Sequence, residues 1–140
     1  MADSSEKALV IYVDGASKGN PGPAGVGVVV NDAEGKVIAR ISSFIGTATN
    51  NQAEYKALIT ALEYAADSKA VHVTIKTDSQ LVAEHIKGNY RVRNGRLIPL
   101  YQRAMQLLSS FKSYSIHYVP RFLNAEADAL ANAALKTRIS

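Results

Sequence analysis

Four acidic residues stand where apolar or purely structural residues are expected. Asp14 follows the apolar run "LVIYV" (9–13) and opens "DGASKGNPGPAG" (14–25). Glu54, in "TNNQAEYKAL" (49–58), lies on the apolar side of a helical stripe, at i−3 and i−4 to Ala57 and Leu58. An acid on the inward side of a helix needs a partner or a purpose. Asp78 sits at a strand–helix junction in "KTDSQL", and Asp128 shares the inward stripe of "NAEADALANAA". Each residue alone has a structural reading. Asn51 with Glu54 fits a capping box; Asp78 fits an N-cap; Asp14 fits an Asx-turn before Gly15; Asp128 fits a partly exposed helical position. Together they suggest something else. Crowded carboxylates repel and cannot all stay ionised unaided. Divalent cations resolve the conflict, and hard oxygen ligands suit Mg²⁺ or Mn²⁺. Two such ions a few ångströms apart are an apparatus for cutting phosphodiesters.

The elements that would carry these acids follow from periodicity. The run 9–13 is near-continuously apolar, as in a strand buried on both faces. A second strand reads over 25–32 and a third over 36–46; the short turns imply an antiparallel meander. Residues 49–67 read as a helix, with Ala57, Leu58, Ala61, Leu62 and Ala65 on one stripe. A strand follows at 71–77, a short helix at 79–88 ending on Gly88, a basic loop at 90–96, and a helix at 97–111 with Pro99 in its first turn. A strand at 113–120 and an Ala-rich helix at 124–136 complete the chain. This order implies an α/β fold with a mixed five-stranded sheet: three antiparallel meander strands, two parallel strands, and helices on both faces. Asp14 and Asp78 then fall at the C-terminal ends of neighbouring strands, where ligand sites of open α/β sheets gather.

The totals set bounds. The 140 residues fit one domain over 1–140, with residues 1–6 expected as a loose tail. The chain is 47% hydrophobic and 20% charged, an ordinary globular mix. Without cysteine it has no disulfide framework and no thiolate metal site, which suits a cytoplasmic protein. No apolar run approaches the ~20 residues of a membrane helix. A net charge of +4 permits a phosphate-bearing partner without demanding one. Other chemistries are poorly served. "GPAGVG" leads into a strand rather than a helix, so no helix N-terminus faces a pyrophosphate. His72, His85 and His117 lack metal-ligand spacing and read as surface or structural residues.

With these motifs in view, the chain resembles the ribonuclease HI family. "DGASKGNPGPAG", "TNNQAEYKAL", "TDSQLV" and "NAEADALANAA" stand in that family's order and at about its spacing, from about residue 8 to 137. The resemblance implies a ribonuclease H-like fold and a metal-dependent endoribonuclease. Such an enzyme hydrolyses the RNA strand of RNA–DNA hybrids to 3′-hydroxyl and 5′-phosphate ends. It assigns Asp14, Glu54, Asp78 and Asp128 as catalytic metal ligands for two Mg²⁺ ions, with Mn²⁺ as substitute. Asp14 would bridge both ions, Glu54 and Asp78 would complete one shell, and Asp128 would help hold the nucleophile-side ion. Gly15, Ser17, Asn20, Asn50 and Gln80 correspond to contacts with the RNA strand, and Thr49 and Asn51 to contacts with the DNA strand. The glycines after Asp14 are expected to let a nucleic-acid backbone approach.

Two departures from the family pattern matter. The stretch before Asp128, "VPRFLNAEAD", has no histidine where many relatives carry one; Arg121 stands nearby, assisting leaving-group departure or product release, or touching phosphate. The long basic handle of some relatives is missing, since only 89–96 separates the two helices; Arg91, Arg93 and Arg96 either substitute in part or form a solvated loop. The expected partners are RNA–DNA hybrid, with double-stranded RNA as a side substrate, and no membrane. The expected state is a monomer. The rival readings are a hybrid-binding module that has lost activity, and another nuclease or integrase of the same fold.

Overall fold

The computed structural model describes residues 6–137. Strands β1 (Ala8–Ser17), β2 (Gly22–Asn31) and β3 (Val37–Ala48) form an antiparallel meander. Helix α1 (Asn50–Asp67) then crosses to β4 (His72–Thr77), which pairs parallel to β1. Helices α2 (Gln80–Lys87) and α3 (Ile98–Leu108) lead to β5 (Ser113–Tyr118), parallel to β4. A 3₁₀ turn at Arg121–Asn124 feeds α4 (Ala125–Thr137). The sheet has five strands in the order β3-β2-β1-β4-β5, the mixed architecture that the order of elements implied.

The pleat of β1 explains the layering. Leu9, Ile11 and Val13 are fully buried on one face, against the apolar stripe of α1. Leu58 and Leu62 on that stripe are also fully buried, each contributing about 1.5–3 kcal/mol by leaving water. Gly15 continues this face, and a Cβ there would lie 2.3 Å from the Ala53 carbonyl carbon of α1. On the opposite face α4 lies just as close: a Cβ on Gly27 would stand 2.0 Å from the Ala127 oxygen. Small residues on α4, Ala127, Ala131 and Ala134, permit this approach. Helix α3 packs against α1, and α2 lies near β5.

Two expectations need correcting. Among the glycines after Asp14, those at 15 and 25 are required by helix backbone, which stands where a side chain would lie, so their absence of side chain is explained without a ligand. The first strand also does not stop at residue 13; it stays paired to β2 as far as Ser17↔Ala24. Of the expected loose tail, residues 1–5 lie outside the described residues. Glu6 is described, and its carboxylate accepts from Lys112 Nζ at 2.6 Å and bonds His72 Nε2 at 3.0 Å. Among the described residues no helix is long and apolar enough to cross a membrane.

Candidate active site

Where β1 and β4 part company, two acids come level. Their parallel ladder ends at Val13↔Thr77, and the next residues are Asp14 and Asp78. Asp14 is therefore interior to β1, not at its end, because β1 runs on with β2 as its partner; only the parallel ladder terminates there. Glu54 arrives from α1. Its Oε1 accepts the Gly15 backbone N–H at 2.5 Å. Asp14 and Glu54 are buried, at 4% and 8% exposure. Asp14, Glu54 and Asp78 each bring a carboxylate oxygen within 4.8 Å of the others'. Asp128, from the first turns of α4, lines the same cavity of about 430 Å³.

The competing structural roles have gone to neighbours. The capping box of α1 pairs Thr49 with Gln52: Thr49 Oγ1 accepts from the Gln52 N–H at 3.1 Å, and Gln52 Oε1 accepts from the Thr49 N–H at 2.8 Å. The expected Asn51–Glu54 box does not form, because the cap lies two residues earlier and Glu54 is beyond its reach. The N-cap of α2 is Ser79, whose Oγ accepts from the Val82 N–H at 3.2 Å, rather than Asp78. Asp14 makes no Asx-turn, since it sits within a paired strand. Asp78 Oδ1 is left buried without a hydrogen-bond partner, a costly condition for a carboxylate oxygen.

The electrostatics follow from this crowding. Burial, then the Glu54 charge, the hydrogen bond with Asp128 and the Asp78 charge push the Asp14 carboxyl up to about 10. Burial likewise raises Glu54 to about 7, with the Asp14 and Gly15 hydrogen bonds working in the opposite direction. Metal-free, crowding and burial favour the protonated forms of Asp14 and Glu54. A divalent cation among hard oxygen ligands would displace those protons. The orphaned Asp78 oxygen and the converging carboxylates fit such an ion.

The other singled-out residues divide into two groups. Gly15, Ser17, Asn50 and Arg121 line the acid cavity. Asn20, Thr49, Asn51 and Gln80 do not line it. Ser17 Oγ donates to the Ala48 carbonyl at 2.8 Å and to the Gly19 carbonyl, tying β1 to the end of β3. Asn20 Oδ1 accepts the Asn50 N–H at 3.0 Å, tethering the turn to α1. Arg121 is largely exposed, and its Nη2 stands 3.9 Å from Asp128 Oδ1. None of the three histidines approaches the acids: His85 is buried on Tyr55 at 2.7 Å, His72 meets Glu6 and Ser113, and His117 meets Ser115.

Three cavity-facing or supporting residues escaped sequence reasoning. Tyr118 lines the cavity at the end of β5, in register with Thr77. Asn132 lines it from α4, and its i+4 spacing from Asp128 was the available signal. Asn124 is buried and donates from Nδ2 to the Val13 carbonyl at 2.9 Å, one residue before Asp14.

Comparison with known proteins places this geometry among relatives. The family described as reverse transcriptase-like matches residues 12–134. A ribonuclease HI of Halobacterium salinarum is 49% identical over 124 residues, covering 89% of this chain. The crystal structure of RNase H1 from that organism superposes with a TM-score of 0.91 at 47% identity, covering 93% of this chain and 98% of that one. LC11-RNase H1, isolated from compost and crystallised with an RNA/DNA hybrid, gives a TM-score of 0.89 at 36% identity, covering 94% and 99%. The chain spans 62% of the Halobacterium relative's full length, and 35% of a Mycobacterium tuberculosis bifunctional protein that is 44% identical over 128 residues.

Proposed function

The chain belongs to the ribonuclease H family, and from that membership we propose a metal-dependent endoribonuclease that hydrolyses the RNA strand of RNA–DNA hybrids to 3′-hydroxyl and 5′-phosphate ends. One observation carries the reading. Asp14, Glu54 and Asp78 bring oxygens within 4.8 Å of one another, each free of the capping or turn role that would otherwise explain it. The hybrid complex of LC11-RNase H1 supports hybrid as the partner.

In this reading Asp14 would be the central metal ligand, with Glu54, Asp78 and Asp128 completing the set that holds the ions. Two Mg²⁺ ions, replaceable by Mn²⁺, would supply the Lewis acidity that phosphodiester hydrolysis needs. The chain's own side chains do the rest. The Gly15 N–H holds the Glu54 carboxylate in one orientation. Ser17 and Asn50 line the cavity where the RNA strand would lie. Asn20 and Gln80 also serve the RNA strand, and Thr49 and Asn51 the DNA strand, from outside that cavity. The 2′-hydroxyl, donor and acceptor at once, is the group that separates RNA from DNA there. Arg121 is an exposed cation beside Asp128, placed to meet the phosphate or the leaving group. The reading extends to a cytoplasmic monomer whose hybrid affinity is modest and falls with salt, as phosphate contacts release counterions.

The test compares labelled RNA–DNA hybrid, double-stranded RNA and single-stranded RNA, each with Mg²⁺ and with EDTA. Hybrid cleavage that requires the ion is expected, with double-stranded RNA slower. Turnover in EDTA, or preference for single strands, would overturn the reading.

A further inference from the structure

Resting on the nuclease reading above, we infer that Asn132 is a positioning residue that holds the Asp128 carboxylate ready for a metal ion. Asn132 lies one helical turn beyond Asp128 on α4 and lines the acid cavity. Its Nδ2 donates to the Asp128 backbone carbonyl at 2.9 Å and to Asp128 Oδ1 at 3.2 Å. Both partners are acceptors, so the amide can present only its nitrogen to them.

Asp128 needs such a tether more than Asp14 and Glu54 do. Those two are immobilised by burial, and Glu54 also by the Gly15 N–H. The Asp128 side chain keeps about a third of its surface exposed, at 32%, so packing alone does not select its rotamer. Asn132, bound at Oδ1, restrains rotation of the carboxylate alongside its interaction with Asp14. Arg121 Nη2 stands 3.9 Å from that same Oδ1. The neutral amide therefore holds the oxygen that the cation would otherwise draw away. A helical Asn also bonds the carbonyl one turn back with no consequence for a ligand. The contact to Oδ1 adds the function, and the two cases differ in metal affinity.

The experiment titrates Mn²⁺ into metal-free wild type, Asn132→Ala and Asn132→Gln, following free Mn²⁺ by electron paramagnetic resonance. It is paired with the Mg²⁺ dependence of hybrid cleavage, with circular dichroism checking the fold. Asn132→Ala is expected to weaken the poorer Mn²⁺ site about 3- to 10-fold. The Mg²⁺ needed for half-maximal turnover should rise alike, while KM for hybrid changes less than about twofold. Asn132→Gln, which keeps the amide, should recover most of the loss. Unaltered Mn²⁺ affinity in Asn132→Ala overturns the inference, as does an effect confined to KM or a Gln variant as weak as Ala. Wild type that binds no Mn²⁺ would remove the metal reading itself, a failure visible before any variant is compared. Mn²⁺ binding without hybrid cleavage would overturn only the substrate assignment.

Discussion

Gly15 donates its backbone N–H to the Glu54 carboxylate across 2.5 Å, and the contact exists because Gly15 has no side chain. A Cβ there would stand 2.3 Å from the Ala53 carbonyl carbon and 2.5 Å from the Glu54 nitrogen. One residue thus joins strand to helix and orients an acid of the site.

Gly15→Ala should therefore cost both stability and activity. Overpacking against rigid backbone is expected to destabilise by about 1–3 kcal/mol. Glu54 should swing away from Asp14 as the helix is displaced, lowering hybrid cleavage at saturating Mg²⁺. Chemical denaturation and single-turnover cleavage read the two effects; a variant with wild-type stability would show that α1 accommodates the methyl.

Asp14→Asn should reduce cleavage at least about 100-fold while leaving the fold intact. It removes the acid that interacts with Glu54, Asp78 and Asp128 alike. Wild-type rates in this variant would take Asp14 out of the site.

The metal-free protein should lose stability as pH rises. Glu54 and Asp14 have folded-state values raised to about 7 and about 10. The folded chain therefore binds more protons than the unfolded chain above the ordinary carboxylate range near pH 4. Their stabilising contribution is complete below that range and declines as pH climbs through about 7 and onward. Thermal melts in EDTA should show Tm falling between pH 5 and pH 8, and Mg²⁺ or Asp14→Asn should flatten the trend. A metal-free Tm that rises over this interval would contradict the crowding.

Arg121→Ala should lower kcat by about tenfold with a smaller change in KM, because the proposed role puts the guanidinium, 3.9 Å from Asp128 Oδ1, at the leaving group. Steady-state kinetics on a defined hybrid separate the two parameters. A change confined to KM would make Arg121 a phosphate-binding residue only.

Much of this molecule was legible in its sequence, for local reasons. The stripe of Ala57, Leu58, Ala61, Leu62 and Ala65 specifies a helix with one buried face, and those residues are all buried. Short turns specify the meander, and alternation of helix with strand specifies the parallel half of the sheet. Glu54 is conspicuous only against that stripe, since a misplaced charge shows up once the period is known.

What the sequence left open was competition between neighbours a few residues apart, and distances between residues far apart. The sequence suggested a cap of Asn51 with Glu54; the extended backbone at Thr49 gave the box to Thr49 with Gln52 instead and released Glu54. Ser79 released Asp78 in the same way. Gly15 and Gly25 read as openings for a ligand, yet helix backbone packs where their side chains would be. The convergence of Asp14, Glu54 and Asp78 depends on the β1–β4 register and on how closely α1 rides over Gly15. By itself the sequence determined which segments become strand or helix and which acids violate their pattern, because periodicity acts over a few residues. Only the tertiary structure decided which backbone groups each acid meets, because hydrogen-bond partners and carboxylate separations are set by packing across the whole chain.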